Sequence, residues 1–307
     1  VLQTRPVSEP TQPAVRPRRT SRGAGGWAAI FVLPVAVLVG VFVMYPIVDT
    51  VGISLTDYNG LQPGNYVGLR NYGALLDDPT FATAIVNSAV IAAAVTVALT
   101  CIPLPLAYWI HRRIPFRRFF RAALYLPVVV PIIVSSVAWK VILDDHGILN
   151  YLLQWSGVRD TPVGWLTDPA WAKWSVIVVI VWRSLGVYLL IYLAYILTVP
   201  DELFEAAAVD GASGVRTFFS VVVPLMRPAI LLCTIVSLAN SLKAFDEVYV
   251  LTSGGPLNAS KNVAYLIWET AFENLEFGAA SAMAVVLLLA VAVVVGAVLL
   301  LARRRSV

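Results

Sequence analysis

Glu205-Ala-Ala-Ala-Val-Asp-Gly-Ala-Ser-Gly-Val-Arg-Thr-Phe-Phe-Ser-Val-Val-Val-Pro224 is a stretch of soluble character set between two strongly apolar segments. Pro200 can open a helix ahead of it, because its missing N–H would be unpaired there anyway. Asp201 and Glu202 then fall in the first turn, where the helix dipole favours anions. Glu205-Ala-Ala-Ala is compact and strongly helix-forming. Asp210-Gly211 breaks that helix, since Gly211 takes a positive φ at no steric cost. A second helix is expected to follow, with Val215, Phe218, Phe219 and Val222 at i, i+3, i+4 and i+7 forming one apolar stripe. Pro224 is expected to end it and Pro228 to start the next apolar run. A short helix with small residues at its tip can enter a groove on a partner protein. The same spacing also fits an ordinary connector.

The apolar flanks decide the class. The chain has 307 residues, 59% hydrophobic and 13% charged, with a mean hydropathy of +0.80. A soluble domain carries about 25% charged residues, so the deficit places this chain in a bilayer. The formal charge of +4 would suit nucleic acid. Most of the arginines, however, lie in clusters that flank apolar runs, as topology signals do. Nucleic-acid binding is therefore excluded.

Crossing the hydrocarbon takes roughly 20 apolar residues. Six runs meet that length, at about 28–48, 83–110, 122–142, 174–199, 228–250 and 278–302. They are continuous rather than alternating, which favours helices over a barrel. Arg5, Arg16, Arg18, Arg19 and Arg22 precede the first run, and Arg112, Arg113, Arg117, Arg118 and Arg121 separate the second from the third. Arg216 and Arg227 lie between the fourth and fifth, and Arg303, Arg304 and Arg305 follow the last. The alternate loops are acidic, with Asp49, Asp77, Asp78, Asp144, Asp145, Asp160, Asp168, Glu269, Glu273 and Glu276 among their residues. Positive charge marks the cytoplasmic side. Both termini and the 200–227 segment are thus expected in the cytoplasm.

Residues 1–26, rich in Pro, Arg, Ser and Thr, lack the apolar mass to fold and read as a disordered basic cytoplasmic tail ahead of a membrane domain over 27–307. Trp27, Trp109, Trp139, Trp171, Trp174 and Trp268 lie near predicted span ends, where an interfacial belt and a sugar-stacking platform are both open readings. Cys101 and Cys233 fall inside apolar runs and read as small buried hydrophobes.

The segment quoted first also resembles a family signature. Glu205, Ala206, Ala207, Gly211 and Pro224 stand where the EAA loop of bacterial ABC importer permeases has its defining residues, and Asp210-Gly211-Ala212 is similar to its usual turn. Val221 and Val223 replace the more usual Ile and Leu. Leu33-Pro34, Tyr45-Pro46, Ser54-Leu-Thr-Asp57, Val67-Gly-Leu-Arg-Asn-Tyr72 and Leu251-Thr-Ser-Gly-Gly-Pro256 resemble carbohydrate-type permeases, the last of them the maltose-type "F"-like first permease. The resemblance implies an all-α polytopic protein of the type I importer permease fold, in a bacterial cytoplasmic (inner) membrane, with six transmembrane helices and a cytoplasmic coupling helix-turn-helix. It implies a heterodimer with a second permease, two ATP-binding subunits and an extracytoplasmic solute-binding protein. Glu205, Ala206, Ala207, Asp210, Gly211 and Pro224 would then form the ATPase-coupling site. ATP and magnesium would be held by the partner ATPase, with no cofactor in this chain, which has no G-x-x-x-x-G-K-[ST] loop. The solute would be a sugar or a relative: an oligosaccharide, an amino sugar or a glycerophosphodiester.

Ionisable groups at membrane depth are expensive and line a cavity or an interface. Arg183 in the fourth run and Asn240, Lys243, Asp246 and Glu247 in the fifth are the candidates for the solute pathway. On a continuous helix Asn240, Lys243 and Glu247 share one face. Subunit-interface pairing is the competing reading, and Arg183 could meet an acid on the partner permease. Asn87, Tyr188 and Tyr192 are weaker cavity candidates. No metal-ligand cluster and no nucleophile–base set can be assembled, so the chain reads as non-catalytic. A secondary transporter would be expected to show Gly/Pro-broken helices at matching positions in its two halves; none is seen.

Overall fold

The computed structural model describes residues 24–112 and 116–304. Most of the expected tail, residues 1–23, lies outside the described residues. The chain divides at Asp49–Thr50 into two units.

The first unit holds α1 (Ala24–Val39), a π-helical turn over Gly40–Met44 and the opening of α2 (Tyr45–Ser54). The run Val32–Ser54 has the length and apolarity of a span. A helix apolar all round needs lipid or another chain to cover it.

The second unit is also helical. It contains α3 (Arg70–Asp77), α4 (Pro79–Cys101), α5 (Pro103–His111), α6 (Arg117–Val129), α7 (Ile132–Ile142), α8 (Ile148–Trp155) and α9 (Pro169–Ile196). After these come α10 (Asp201–Val209), α11 (Gly214–Thr217), a π-helical turn over Phe218–Val222, α12 (Val223–Leu225) and α13 (Arg227–Ser241). The chain ends in α14 (Asp246–Leu251), α15 (Val263–Trp268), a π-helical turn over Glu269–Glu273 and α16 (Phe277–Arg304). Among the described residues there is no strand, only an isolated antiparallel bridge between Thr56 and Tyr66.

Two long helices begin in the same way. Asp78 and Asp168 each accept a hydrogen bond from the backbone N–H two residues on, 2.8 Å in both cases, and each is followed by a proline in the first turn. The carboxylate satisfies an orphan donor and the proline removes another. The main core lies where α4, α5, α9 and α13 meet, around the fully buried Ile91, Leu99, Tyr108, Leu189 and Tyr192. A second cluster, built on Leu75, Phe81, Val263, Leu266 and Met283, joins α3, α4, α15 and α16.

Four helices are long and apolar enough to cross a membrane, and six crossings result when each of two bent pairs counts as one span. One of these bends and a separate break correct two expectations. The run 122–142 is not one helix: α6 and α7 meet at 101°. Pro131 has no N–H to give, and it holds Val130 at φ −75°, ψ 131°, outside the helical region. The run 228–250 is broken as well. Its helix α13 stops at Ser241, and α14 begins only at Asp246.

Candidate functional site

The polar residues picked out in the fourth and fifth runs meet around one cavity of about 340 Å³. Arg183 and Tyr188 reach it from α9, Val95 and Leu99 from α4, and Asn240, Lys243, Asp246 and Glu247 from the α13–α14 region. The shared helical face expected for Asn240, Lys243 and Glu247 does not exist. Lys243 N–H turns back to the Asn240 carbonyl at 3.1 Å and Ala244 N–H to the Ser241 carbonyl at 3.3 Å, which winds the chain out of the helix between them. The break, rather than helical periodicity, brings these side chains to one place.

Arg183 finds its acid within this chain. Its Nε and Nη2 both lie 3.0 Å from Glu247 Oε1, and the glutamate side chain is only 4% exposed. Burying either charge alone would be costly, and pairing with good geometry offsets that cost.

Of the weaker candidates only Tyr188 faces the cavity. Tyr192 is buried and donates to the Thr100 carbonyl at 3.2 Å, a packing role. Asn87 is buried elsewhere. It donates to the carbonyls of Asn258 and Lys261 at 2.9 and 2.8 Å and accepts from Lys173 Nζ at 2.9 Å. It therefore clamps the loop after α14. Lys261 also pairs with Glu269 at 2.7 Å.

Phe245, on the cavity wall, belongs to an aromatic cluster with Tyr249, Tyr265 and Trp268. Tyr249 stacks on Phe245 at 5.4 Å and meets Trp268 edge-on at 4.7 Å, arrangements the ring quadrupoles favour. Burial, with the carboxylates of Glu269 and Glu273 and the neighbouring Tyr249, pushes the Tyr265 phenol up to about 12. Trp268 was legible as a tryptophan near a span end. Its three partners were not, because they come together only through the break after α13.

The second site is the 200–227 segment. Asp201 and Glu202 occupy the first turn of α10 as expected. Gly211 adopts φ +69°. Its N–H bonds the Ala208 carbonyl at 3.1 Å, and the Ala212 N–H bonds the Ala207 carbonyl at 2.9 Å. This pairing is a Schellman cap, and it fixes the turn. Ser213 caps α11 by accepting from the Arg216 N–H at 3.3 Å. Glu205, Ala206, Asp210 and Gly211 are exposed, Ala207 is buried and Pro224 half-buried.

The expected apolar stripe forms in part: Val215, Phe218 and Phe219 line one apolar pocket with Leu104 and Trp109, and Val222 leaves it for the core. Val222 is buried and Phe218 partly so, whereas Val215 and Phe219 are 59% and 66% exposed. The helix widens into a π turn over Phe218–Val222 just ahead of Pro224. The proline ring lacks the N–H that the Ser220 carbonyl would take, and a wider turn absorbs the misfit. Pro224 therefore sits inside the helical run, which ends instead in a 72° bend before α13.

The family described as "Binding-protein-dependent transport system inner membrane component" matches residues 101–307, which include the 200–227 segment and the polar cavity residues Arg183, Asn240, Lys243, Asp246 and Glu247. "Probable starch degradation products transport system permease protein AmyD" of Thermoanaerobacterium thermosulfurigenes is 32% identical over 265 residues, covering 85% of this chain and 89% of that protein. The lactose transport system permease protein LacF of Rhizobium radiobacter is also 32% identical, over 85% of this chain and 88% of its own. A chain in the crystal structure of a bacterial ABC transporter that imports the acidic polysaccharide alginate superposes with a TM-score of 0.79 at 22% identity, over 92% of this chain and 96% of that one. The chain shares the fold of that transporter chain, and it belongs to the family of binding-protein-dependent transport system inner membrane components.

Proposed function

We propose that this chain is one of two permease subunits of an ATP-driven sugar importer, with six crossings and both termini in the cytoplasm. The solute, released by an extracytoplasmic binding protein, enters the cavity lined by Arg183, Asn240, Lys243, Asp246 and Glu247. A second, related permease supplies the facing wall. Two ATP-binding subunits hold ATP and magnesium, and this chain catalyses nothing itself. The sugar transport functions in the relatives' names support the solute class.

The observation that carries the reading is the form of the 200–227 segment. Glu205, Ala206, Asp210 and Gly211 stand exposed on a capped, rigid turn between two apolar runs. A displacement applied at such a turn is passed on rather than absorbed. Closure of the ATPase pair would pull the permeases from inward-open to outward-open, and hydrolysis would return them.

Affinity purification of tagged chain from native membranes tests this directly. Recovery with a second multi-span permease and an ATPase supports it. A chain recovered alone, or as a homo-oligomer without an ATPase, would overturn it.

A further inference from the structure

Tyr108, one turn from the end of α5, has no exposed surface. Its hydroxyl donates to the Gly214 carbonyl, 106 residues on, at 3.1 Å. The same oxygen accepts from Arg112 Nη1 at 3.2 Å. Its ring lies 5.5 Å from that of Phe218. The His111 ring lies 5.6 Å from that of Phe204 in α10. The end of α5 thus grips both halves of the 200–227 segment. A Cβ at Gly214 would stand 2.8 Å from Arg112 Nη1 and would push the guanidinium off the Tyr108 hydroxyl.

The other end of this path reaches the polar cavity. Helices α4 and α5 form one apolar run from Pro79 to His111, and Val95 and Leu99 of α4 line the cavity. Their junction is held from α9, where the Tyr192 hydroxyl donates to the Thr100 carbonyl.

We propose that Tyr108 is the positioning residue that passes a displacement of the 200–227 segment into the second span, and through it to the cavity wall. This rests on the reading that the segment docks an ATPase. A buried hydroxyl between a carbonyl and a guanidinium, backed by close ring packing, moves as a unit with what it holds. Contact through lipid-facing side chains alone would let the segment slide.

The test uses the assembled importer in liposomes, with ATP hydrolysed per solute imported as the readout. Tyr108→Phe keeps the ring on Phe218 and removes only the hydroxyl. Losing one such bond is worth about fivefold in an equilibrium, so the ratio is expected to rise about fivefold while assembly is unchanged. Gly214→Ala disturbs the same joint from the other side and is expected to raise the ratio too, whether or not the Tyr108 variant is recovered. Wild-type ratios in the recovered variants overturn the proposal. Glu205→Ala, run alongside, separates the two levels. If Glu205→Ala keeps its ATPase and its transport, the docking reading itself has failed. If it loses the ATPase while the joint variants keep wild-type ratios, only the joint is wrong.

Discussion

Arg183 on α9 and Glu247 on α14 close on each other at the edge of the polar cavity, with two guanidinium nitrogens 3.0 Å from one carboxylate oxygen. The pair fastens the helix that follows the broken span to the long helix of the core. Removing one partner of a buried pair costs about 3–5 kcal/mol, whereas apolar replacement of both is often neutral. Glu247→Met and Arg183→Met should therefore each lower the unfolding temperature in detergent. The double variant Arg183→Met/Glu247→Met should recover most of the loss. Additive losses in the two single variants and the double would show that the pair contributes no coupling.

Asn87 answers for the loop that follows α14. Its amide satisfies the carbonyls of Asn258 and Lys261 and the Lys173 ammonium. Asn87→Leu fills similar space and strands all three, and the buried one, the Lys261 carbonyl, alone costs roughly 1–3 kcal/mol when left unpaired. Amide exchange over residues 252–262 should accelerate at least tenfold, with α9 unchanged. Wild-type protection there would mean that the Lys261–Glu269 pair holds the loop unaided.

The apolar runs were legible because hydropathy depends on composition alone. Their interruptions were not, because they depend on partners. Pro131 bends its span by 101°, yet Pro127 sits inside α6 without ending it. Residues Leu242–Phe245 contain neither Gly nor Pro. There the Asn262 amide, 18 residues on, captures the Ala244 carbonyl, and no local pattern announces it. The residues lining the cavity were identified from their cost in lipid, which is a property of each residue. The reason given for their meeting, a shared helical face, failed because it assumed the helix ran on. The turn at Gly211 was legible in full, since its geometry is set by the glycine and its immediate neighbours.

At Gly211 the substitution decides the size of the effect. Nothing stands within 4 Å of a Cβ built there, and φ is +69°. Gly211→Ala therefore costs only the left-handed backbone, about 1–2 kcal/mol. Gly211→Pro cannot adopt that φ, and it deletes the N–H that bonds Ala208. Capture of the ATPase from detergent extracts should fall slightly for Ala and severely for Pro, with equal membrane insertion. Equal capture by the two variants would show that the turn's shape is irrelevant to docking.

Two exposed side chains test the orientation proposed for the chain. Leu257, in the loop after α14, is 90% exposed, and Val209, at the end of α10, is 87% exposed. They lie on either side of α13, so a single crossing between them puts them on opposite faces of the membrane. With Cys101 and Cys233 replaced by serine, Leu257→Cys should react with a membrane-impermeant maleimide added to intact cells stripped of their outer barrier. Val209→Cys should react only after the membrane is opened, and less when the ATPase is present. Reaction at Val209 from outside would invert the topology. It would place Arg216 and Arg227 on the outer face, against the charge rule from which the orientation was read. Reaction of both positions only after the membrane is opened would mean that the 72° bend before α13 belongs to a re-entrant loop. Five crossings would then replace six.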